Sequence, residues 1–100
     1  MGSVRVIRYT TKPESADENE RLIRAVFAEL AQSKPDGLRY AAFRLADGVS
    51  FLHVAVLDGA GNPLASSAAF SEFQAGIADR CADGPAPADA AVVGSYRMIG

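Results

Sequence analysis

The feature that most constrains the fold is a pair of apolar runs joined by an Asp-Gly turn. The runs are Leu38–Leu45 and Ser50–Leu57, and Asp47-Gly48 lies between them. Asp-Gly suits the backbone dihedral angles of tight hairpin turns, so this segment predicts an antiparallel hairpin. An isolated hairpin is marginal in water, so the rest of the chain must supply further strands or helices that cover it.

One strand and one helix precede the hairpin. Val4–Thr10 is rich in β-branched and aromatic residues and stops before Pro13, which predicts a strand. The motif from Ser15 to Glu18 predicts a capping box, in which the Ser15 hydroxyl and the Glu18 carboxylate each accept from a backbone amide. The helix then ends at Lys34–Gly37. Five apolar residues recur at helical spacing and predict its buried face: Leu22, Ile23, Val26, Phe27 and Leu30.

A second helix follows the hairpin. It is expected to start at Ser66 or Ser67, and its apolar face is formed by Phe70, Phe73 and Ile77. Gly76 weakens it by about 1 kcal/mol relative to alanine and indicates a close backbone approach to the sheet. Cys81 is expected late in this helix as a small buried side chain.

The end of the chain predicts a loop and a last strand. The loop covers 83–87, where glycine and proline alternate with small residues, and the strand is Ala91–Ile99, with a bulge at Gly94. The order is therefore βαββαβ in one domain of residues 1–100. Two split βαβ units give an α+β, ferredoxin-like fold, a four-stranded antiparallel sheet with both helices on one face.

Both faces of this sheet read as apolar. In the third strand Phe51, His53 and Ala55 point to one face, and the residues that point to the other are Leu52, Val54 and Val56. A face without helices should be polar if water covered it. We therefore expect a homodimer through the sheet face, although scattered apolar side chains are also normal on protein surfaces.

Composition excludes several classes of function. The chain has 12 acidic and 10 basic side chains, and this balance argues against a nucleic-acid partner. No apolar run approaches the roughly 20 residues that span a bilayer, and no signal peptide is recognisable, so we expect no membrane partner and a cytoplasmic protein. One histidine and one cysteine cannot form a typical zinc site, and we expect neither metal nor cofactor.

Five polar side chains are candidates for a site. His53, the single histidine, suits a general base near neutral pH, or it fills a polar gap in the core. Asn19 shares the apolar face of the first helix, where its amide either orients a ligand or caps the stripe. Tyr9, Tyr40 and Tyr96 lie on predicted strands, where their hydroxyls line a pocket or their rings serve packing.

The βαββαβ order, the capped first helix and the second helix with Phe70 and Phe73 resemble the dimeric α/β-barrel superfamily. Within it the chain is similar to small antibiotic-biosynthesis-monooxygenase-like proteins. The resemblance implies a homodimer whose sheets close into a barrel, with a ligand pocket between sheet and helices. The chain has no tryptophan, so it lacks the Asn-Trp-His set of the best-studied members. Three functions stay open: binding of a small apolar or aromatic molecule, cofactor-independent oxygenation with His53 as base, and non-catalytic assembly.

Overall fold

A computed structural model describes residues 3–59 and 61–98 of the chain. Its four strands are β1 (Ser3–Thr11), β2 (Leu38–Arg44), β3 (Ser50–Leu57) and β4 (Cys81–Ala90). Its three α-helices are α1 (Ala16–Ser33), α2 (Ala68–Ala75) and the short α3 (Ile77–Arg80). The βαββαβ order, the first strand and the hairpin are confirmed.

The strands form one antiparallel sheet in the order β2-β3-β1-β4. Ile7 of β1 and Ala42 of β2 both lie opposite His53, and Tyr9 lies opposite Phe51. Side chains that share a register position share a face. His53 therefore points to the same face as Phe51, Tyr9 and Ala42, and this is the face that the helices cover.

The core lies between that face and the helices. Its buried apolar side chains are Tyr9, Ala16, Leu22, Ile23, Val26, Phe51, Leu64 and Phe73, and Phe27 and Leu30 pack against them. The apolar stripe of α1 is therefore confirmed as its buried face. The start of α2 is also confirmed, because the Ser67 side chain accepts a hydrogen bond from the Phe70 amide.

The predicted capping box at Ser15 is wrong. Pro13–Ser15 forms a turn of 3-10 helix that leads directly into α1. Ser15 therefore has φ −104° and ψ −4°, not the extended backbone of a capping serine, and its side chain makes no capping hydrogen bond. Glu18 instead accepts two hydrogen bonds from Arg21, at 2.6 and 2.8 Å.

The predicted loop over 83–87 and the last strand at Ala91–Ile99 are also wrong. The strand is Cys81–Ala90, and Pro87 and Ala86 lie opposite Ile7 and Arg8 of β1. An edge strand tolerates proline because one side of its backbone needs no partner. Residues 91–98 contain no strand, so Gly94 is not a bulge, and position 99 lies outside the described residues.

The second helix is interrupted at Gly76, and Cys81 is not helical. α2 ends at Ala75, α3 begins at Ile77, and Cys81 is the first residue of β4 and only half-buried. Gly76 does not approach the sheet as expected. A Cβ atom on Gly76 would instead lie 2.9 Å from Nη1 of Arg80, so this glycine leaves room for the arginine.

The outer face of the sheet, which the helices leave open, carries apolar side chains on three adjacent strands. They alternate with the inward residues and include Val4, Val6, Phe43, Leu52, Val54 and Val56. Phe43 is 42% exposed. None of the helices in the described part of the chain is long and apolar enough to cross a bilayer.

Candidate functional site

His53 is the centre of a buried hydrogen-bond network. Its side chain is 3% exposed, and both ring nitrogens are bonded. Nδ1 lies 2.6 Å from the hydroxyl oxygen of Tyr40, and Nε2 lies 2.8 Å from that of Tyr9. The register of β1, β2 and β3 explains this arrangement, because all three side chains rise from neighbouring positions on the inner face.

Two residues from the helices extend the network. Asn19 of α1 is fully buried, and its Nδ2 donates to the Tyr9 hydroxyl at 2.9 Å. Arg80, the last residue of α3, donates through Nε to Oδ1 of Asn19 at 3.0 Å and through Nη2 to the Phe73 carbonyl at 2.6 Å. The chain of contacts therefore runs from Arg80 through Asn19, Tyr9 and His53 to Tyr40.

Burial keeps the titratable rings of the network neutral near pH 7. Desolvation lowers the pKa of His53 from 6.5 to about 4. Desolvation also raises the pKa of Tyr9 to about 12, although the hydrogen bond from Asn19 opposes it. The pKa of Tyr40 is raised for the same first reason. His53 is therefore a neutral imidazole near pH 7, with a proton on only one of its two ring nitrogens.

Arg80 is the charged member of the network. Its side chain is buried, and none of the ion pairs among the described residues includes it. Its guanidinium lies over the Phe73 ring, with 5.2 Å from Cζ to the ring centroid. A buried cation is costly unless hydrogen bonds and ring faces replace its water, and Asn19 and Phe73 supply both here.

A groove opens between α1 and β2, beside the network. We call it the α1–β2 groove. Its larger half has a volume of about 540 Å³, with apolar walls formed by Ile23, Phe27, Ala28, Ala42, Phe43 and Phe51. Its smaller half, of about 360 Å³, is lined by Phe27, Leu38 and Tyr40 among others. Phe27 lines both halves and stacks on Tyr40, with 4.9 Å between the ring centroids.

Charged side chains at the rim of the groove neutralise one another. Arg44 contacts Asp17 at 3.1 Å and Glu20 at 3.0 Å, and Arg24 contacts Glu20 at 2.9 Å. Hydrogen bonds from Arg44 and Arg24 lower the pKa of Glu20. The rim of the larger half therefore offers neither a free cation nor a free anion, and its walls offer apolar and aromatic surface, whereas Lys34, which is in none of the ion pairs among the described residues, lines the smaller half.

Four of the five candidates from the sequence meet in this network: Tyr9, Asn19, Tyr40 and His53. Tyr96 does not, because it lies after β4 and is 78% exposed, with Arg97 over its ring. Sequence reasoning missed Arg80, whose only signal was a glycine four residues earlier that makes room for it. The described residues contain no cluster of three His, Cys, Asp or Glu side chains that would hold a metal ion.

Comparisons with known proteins show the fold. No protein-family model and no curated protein matches the sequence. A putative antibiotic biosynthesis monooxygenase from Nitrosomonas europaea has a similar solved structure, with TM-score 0.75 and 14% identity over 92% of this chain and 90% of that one. A mutant of SnoaB, a cofactor-independent oxygenase from Streptomyces nogalater, is similar with TM-score 0.70 and 15% identity, over 96% and 97%.

A third similar structure is a protein of unknown function from Nitrosomonas europaea, with TM-score 0.72 and 13% identity over 100% of this chain and 98% of that one. At these identities the likeness concerns the fold. The chain has the α+β, ferredoxin-like fold of antibiotic-biosynthesis-monooxygenase-like structures, as the sequence predicts. Neighbours with this fold include named oxygenases and a protein without a known function, so the fold leaves the activity open.

Proposed function

We propose that this protein binds a small aromatic or apolar molecule in the α1–β2 groove. The observation that carries the proposal is the larger half of the groove, with its volume of about 540 Å³ and its apolar walls. Small-molecule sites typically have volumes of roughly 300–1,000 Å³ and mostly apolar linings with few polar groups. The neutralised rim around Glu20 and Arg44 supports an uncharged ligand over an ionic one.

Aromatic side chains favour an aromatic ligand. Phe27 and Phe51 contribute ring surface to the groove. Offset stacking or edge-to-face contact with such rings contributes about 0.5–1.5 kcal/mol beyond the burial of area. Tyr40 adds one polar group at the smaller half.

Two alanines of α1 allow a matched test. Ala28 lines the groove, whereas Ala25 is also exposed on the same helix but does not line it. With naphthol as a fluorescent probe, Ala28→Phe should weaken binding at least about tenfold, because the new ring fills the space of the ligand. Ala25→Phe should bind naphthol as the unchanged protein does. Equal affinities for both variants would contradict binding in this groove.

A second candidate function is cofactor-independent oxygenation, the activity by which the Streptomyces neighbour SnoaB is described. The observation that favours it is a neutral imidazole at the centre of the buried network, which a base requires. His53 is 3% exposed, so it would act through Tyr40: a phenol in the groove gives its proton to the Tyr40 oxygen as Tyr40 passes its own to Nδ1 of His53. Molecular oxygen would be the oxidant: one of its atoms becomes the second carbonyl oxygen of a quinone, and the other leaves as water with two hydrogens of the phenol.

Oxygen consumption tests the second candidate. With naphthol as substrate, His53→Gln should abolish oxygen uptake, because an amide offers a donor and an acceptor but no base. Tyr40→Phe should do the same, since it removes the hydroxyl that contacts Nδ1. Uptake retained in His53→Gln would remove His53 from the reaction, and uptake retained in Tyr40→Phe would remove Tyr40 as its relay.

We further propose that the protein forms a homodimer through the outer face of the sheet. The apolar side chains of β1, β2 and β3 on that face support the pairing, since two identical faces would cover one another. If the groove bound no ligand, this pairing would leave a non-catalytic assembly module as the remaining function. A location in the cytoplasm stays part of the proposal.

A further inference from the structure

The orientation of the Asn19 amide follows from Arg80. A guanidinium carries only hydrogen-bond donors, so the Asn19 atom that faces it at 3.0 Å is the oxygen Oδ1. The amide nitrogen Nδ2 is then the atom that faces the Tyr9 hydroxyl, and it donates there. Arg80 therefore fixes the direction of the first two hydrogen bonds of the network: Arg80 donates to Asn19, and Asn19 donates to Tyr9.

The proton of the neutral imidazole has two possible positions, and they are not equivalent. With the proton on Nε2, the Tyr9 oxygen accepts from both Asn19 and His53, and its own hydrogen has no acceptor. Tyr9 is 2% exposed, so water does not supply one. A buried donor without an acceptor is strongly disfavoured.

With the proton on Nδ1, the Tyr9 hydroxyl and both nitrogens of the His53 ring are satisfied. Tyr9 accepts from Asn19 and donates to Nε2 of His53, and Nδ1–H donates to the Tyr40 oxygen. The Tyr40 hydrogen is then the last donor of the chain. Tyr40 is half-buried, unlike Tyr9, and lines the smaller half of the α1–β2 groove, so we place the acceptor for this hydrogen in the groove.

We infer that Arg80 is a positioning residue that holds His53 in the Nδ1–H tautomer and so makes Tyr40 a hydrogen-bond donor to the groove. The ligand class that follows is an aromatic molecule with an acceptor oxygen, such as a carbonyl, that reaches the Tyr40 end. This part rests on the proposed binding function, whereas the tautomer does not. In this tautomer Nδ1 already carries a proton, so the inference and the second candidate function, in which Nδ1 accepts a proton from Tyr40, exclude one another, and the tautomer measurement decides between them.

The surroundings of Arg80 support a site built for this residue. The missing Cβ of Gly76 leaves space for Nη1, the Phe73 carbonyl accepts from Nη2, and the Phe73 ring lies under the guanidinium. Three separate features thus hold the guanidinium in the orientation that directs Nε at Asn19.

Nitrogen NMR of protein labelled at histidine tests the tautomer without a ligand, because His53 is the single histidine. The unchanged protein should show a protonated Nδ1 and an unprotonated Nε2. In Asn19→Asp the carboxylate accepts from both Arg80 and Tyr9, so Tyr9 no longer donates to His53 and the proton should move to Nε2. Arg21→Met, which removes an exposed arginine of α1, should leave the signals unchanged.

Protonated Nε2 in the unchanged protein would overturn the inference. Protonated Nδ1 in Asn19→Asp would overturn it equally, provided that amide spectra show the variant folded. Arg80→Met is a second test. Without the guanidinium the Asn19 amide can turn over, so Tyr9 is no longer held as an acceptor from Asn19, and His53 should no longer populate the Nδ1–H tautomer alone. Persistence of that state would remove Arg80 as its cause.

The donor role of Tyr40 is tested with two probes of nearly the same shape. Acetylnaphthalene carries an acceptor oxygen and ethylnaphthalene does not, so the former should bind about fivefold more tightly in calorimetric titration. Tyr40→Phe should abolish this preference. Equal affinities in the unchanged protein would overturn the donor role, and failure of both probes to bind would contradict the proposed function as well. Neither result alters the tautomer measured in the free protein.

Discussion

Arg80 Nε donates to Asn19 Oδ1 at 3.0 Å, which joins the end of α3 to the first turns of α1. The contact lies in the core, where Asn19 is 0% and Arg80 is 8% exposed. Buried polar groups have to be bonded inside the protein because water does not reach them. This pair therefore connects the two helical segments and fixes the polar end of the network around His53.

Asn19→Ala should lower the free energy of unfolding. The substitution leaves Arg80 Nε without a partner, which costs roughly 1–3 kcal/mol for a buried group, and it removes one of the two hydrogen bonds of the Tyr9 hydroxyl. Urea unfolding of the two proteins measures the loss. Gln32→Ala, an exposed substitution on α1, should stay within about 0.5 kcal/mol of the unchanged protein. Equal stability of Asn19→Ala would mean that the network contributes nothing to folding.

Stability should depend on pH through His53. Its pKa is about 4 in the folded protein against 6.5 in the unfolded chain, so below pH 6.5 the unfolded state binds more protons. The stability that depends on neutral His53 is fully present above pH 6.5 and is lost as the pH falls towards 4. The total loss in the free energy of unfolding is about 3 kcal/mol.

Urea unfolding at several pH values across that range measures the effect. His53→Gln should make the free energy of unfolding less dependent on pH, because only carboxylates such as Glu20 and Asp47 then titrate near this range. The ring signals of the single histidine provide a direct check. A folded-state pKa near the ordinary value of 6.5 would contradict a buried neutral imidazole.

Gly76→Ala should lower the melting temperature. Gly76 has φ −110° and ψ 9°, which alanine also adopts, so the loss of freedom in the unfolded chain alone predicts a gain of about 0.4–1 kcal/mol for this change. The new methyl group, however, would lie 2.9 Å from Arg80 Nη1, and the guanidinium has little freedom because Asn19 and Phe73 bind it. Gly84→Ala, where a Cβ meets no atom within 4 Å, is the control and should be neutral. A higher melting temperature for Gly76→Ala would mean that Arg80 moves freely.

Val54→Lys should convert a dimer into a monomer. Val54 lies on the outer face of the sheet, opposite Val6 of β1, so a buried lysine there would oppose close contact with an identical face. Light scattering coupled to gel filtration measures the mass. Val93→Lys changes a fully exposed valine after β4 and should leave the mass unchanged. A monomeric unchanged protein would reject the pairing through this face.

The parts of the fold that the sequence predicts correctly have strong local signals. The α1 stripe from Leu22 to Leu30 repeats at helical spacing, and Asp47-Gly48 separates two alternating strands. β4 could not be predicted in this way, because Pro85 and Pro87 locally disfavour a strand. Its formation depends on pairing with β1, a long-range contact that tolerates proline at a sheet edge.

The strand residues of the candidate site were predictable from the sequence, whereas its arginine was not. His53, Tyr9 and Tyr40 stand out as polar side chains on apolar strands, and the sheet register brings them together. Arg80 could not be recognised, since arginine at the end of a helix is usually exposed and favours the helix dipole. Only the packing of α3 against α1 makes it part of the core.

The most direct test of ligand binding in the α1–β2 groove is an amide NMR titration with naphthol. The largest shift changes should map to groove residues of α1 and β2, namely Ile23, Phe27, Ala28 and Ala42, and Ala28→Phe should need at least about tenfold more probe to produce them. Shift changes confined to the outer face of the sheet around Val54, or none at saturating probe, would contradict binding in this groove.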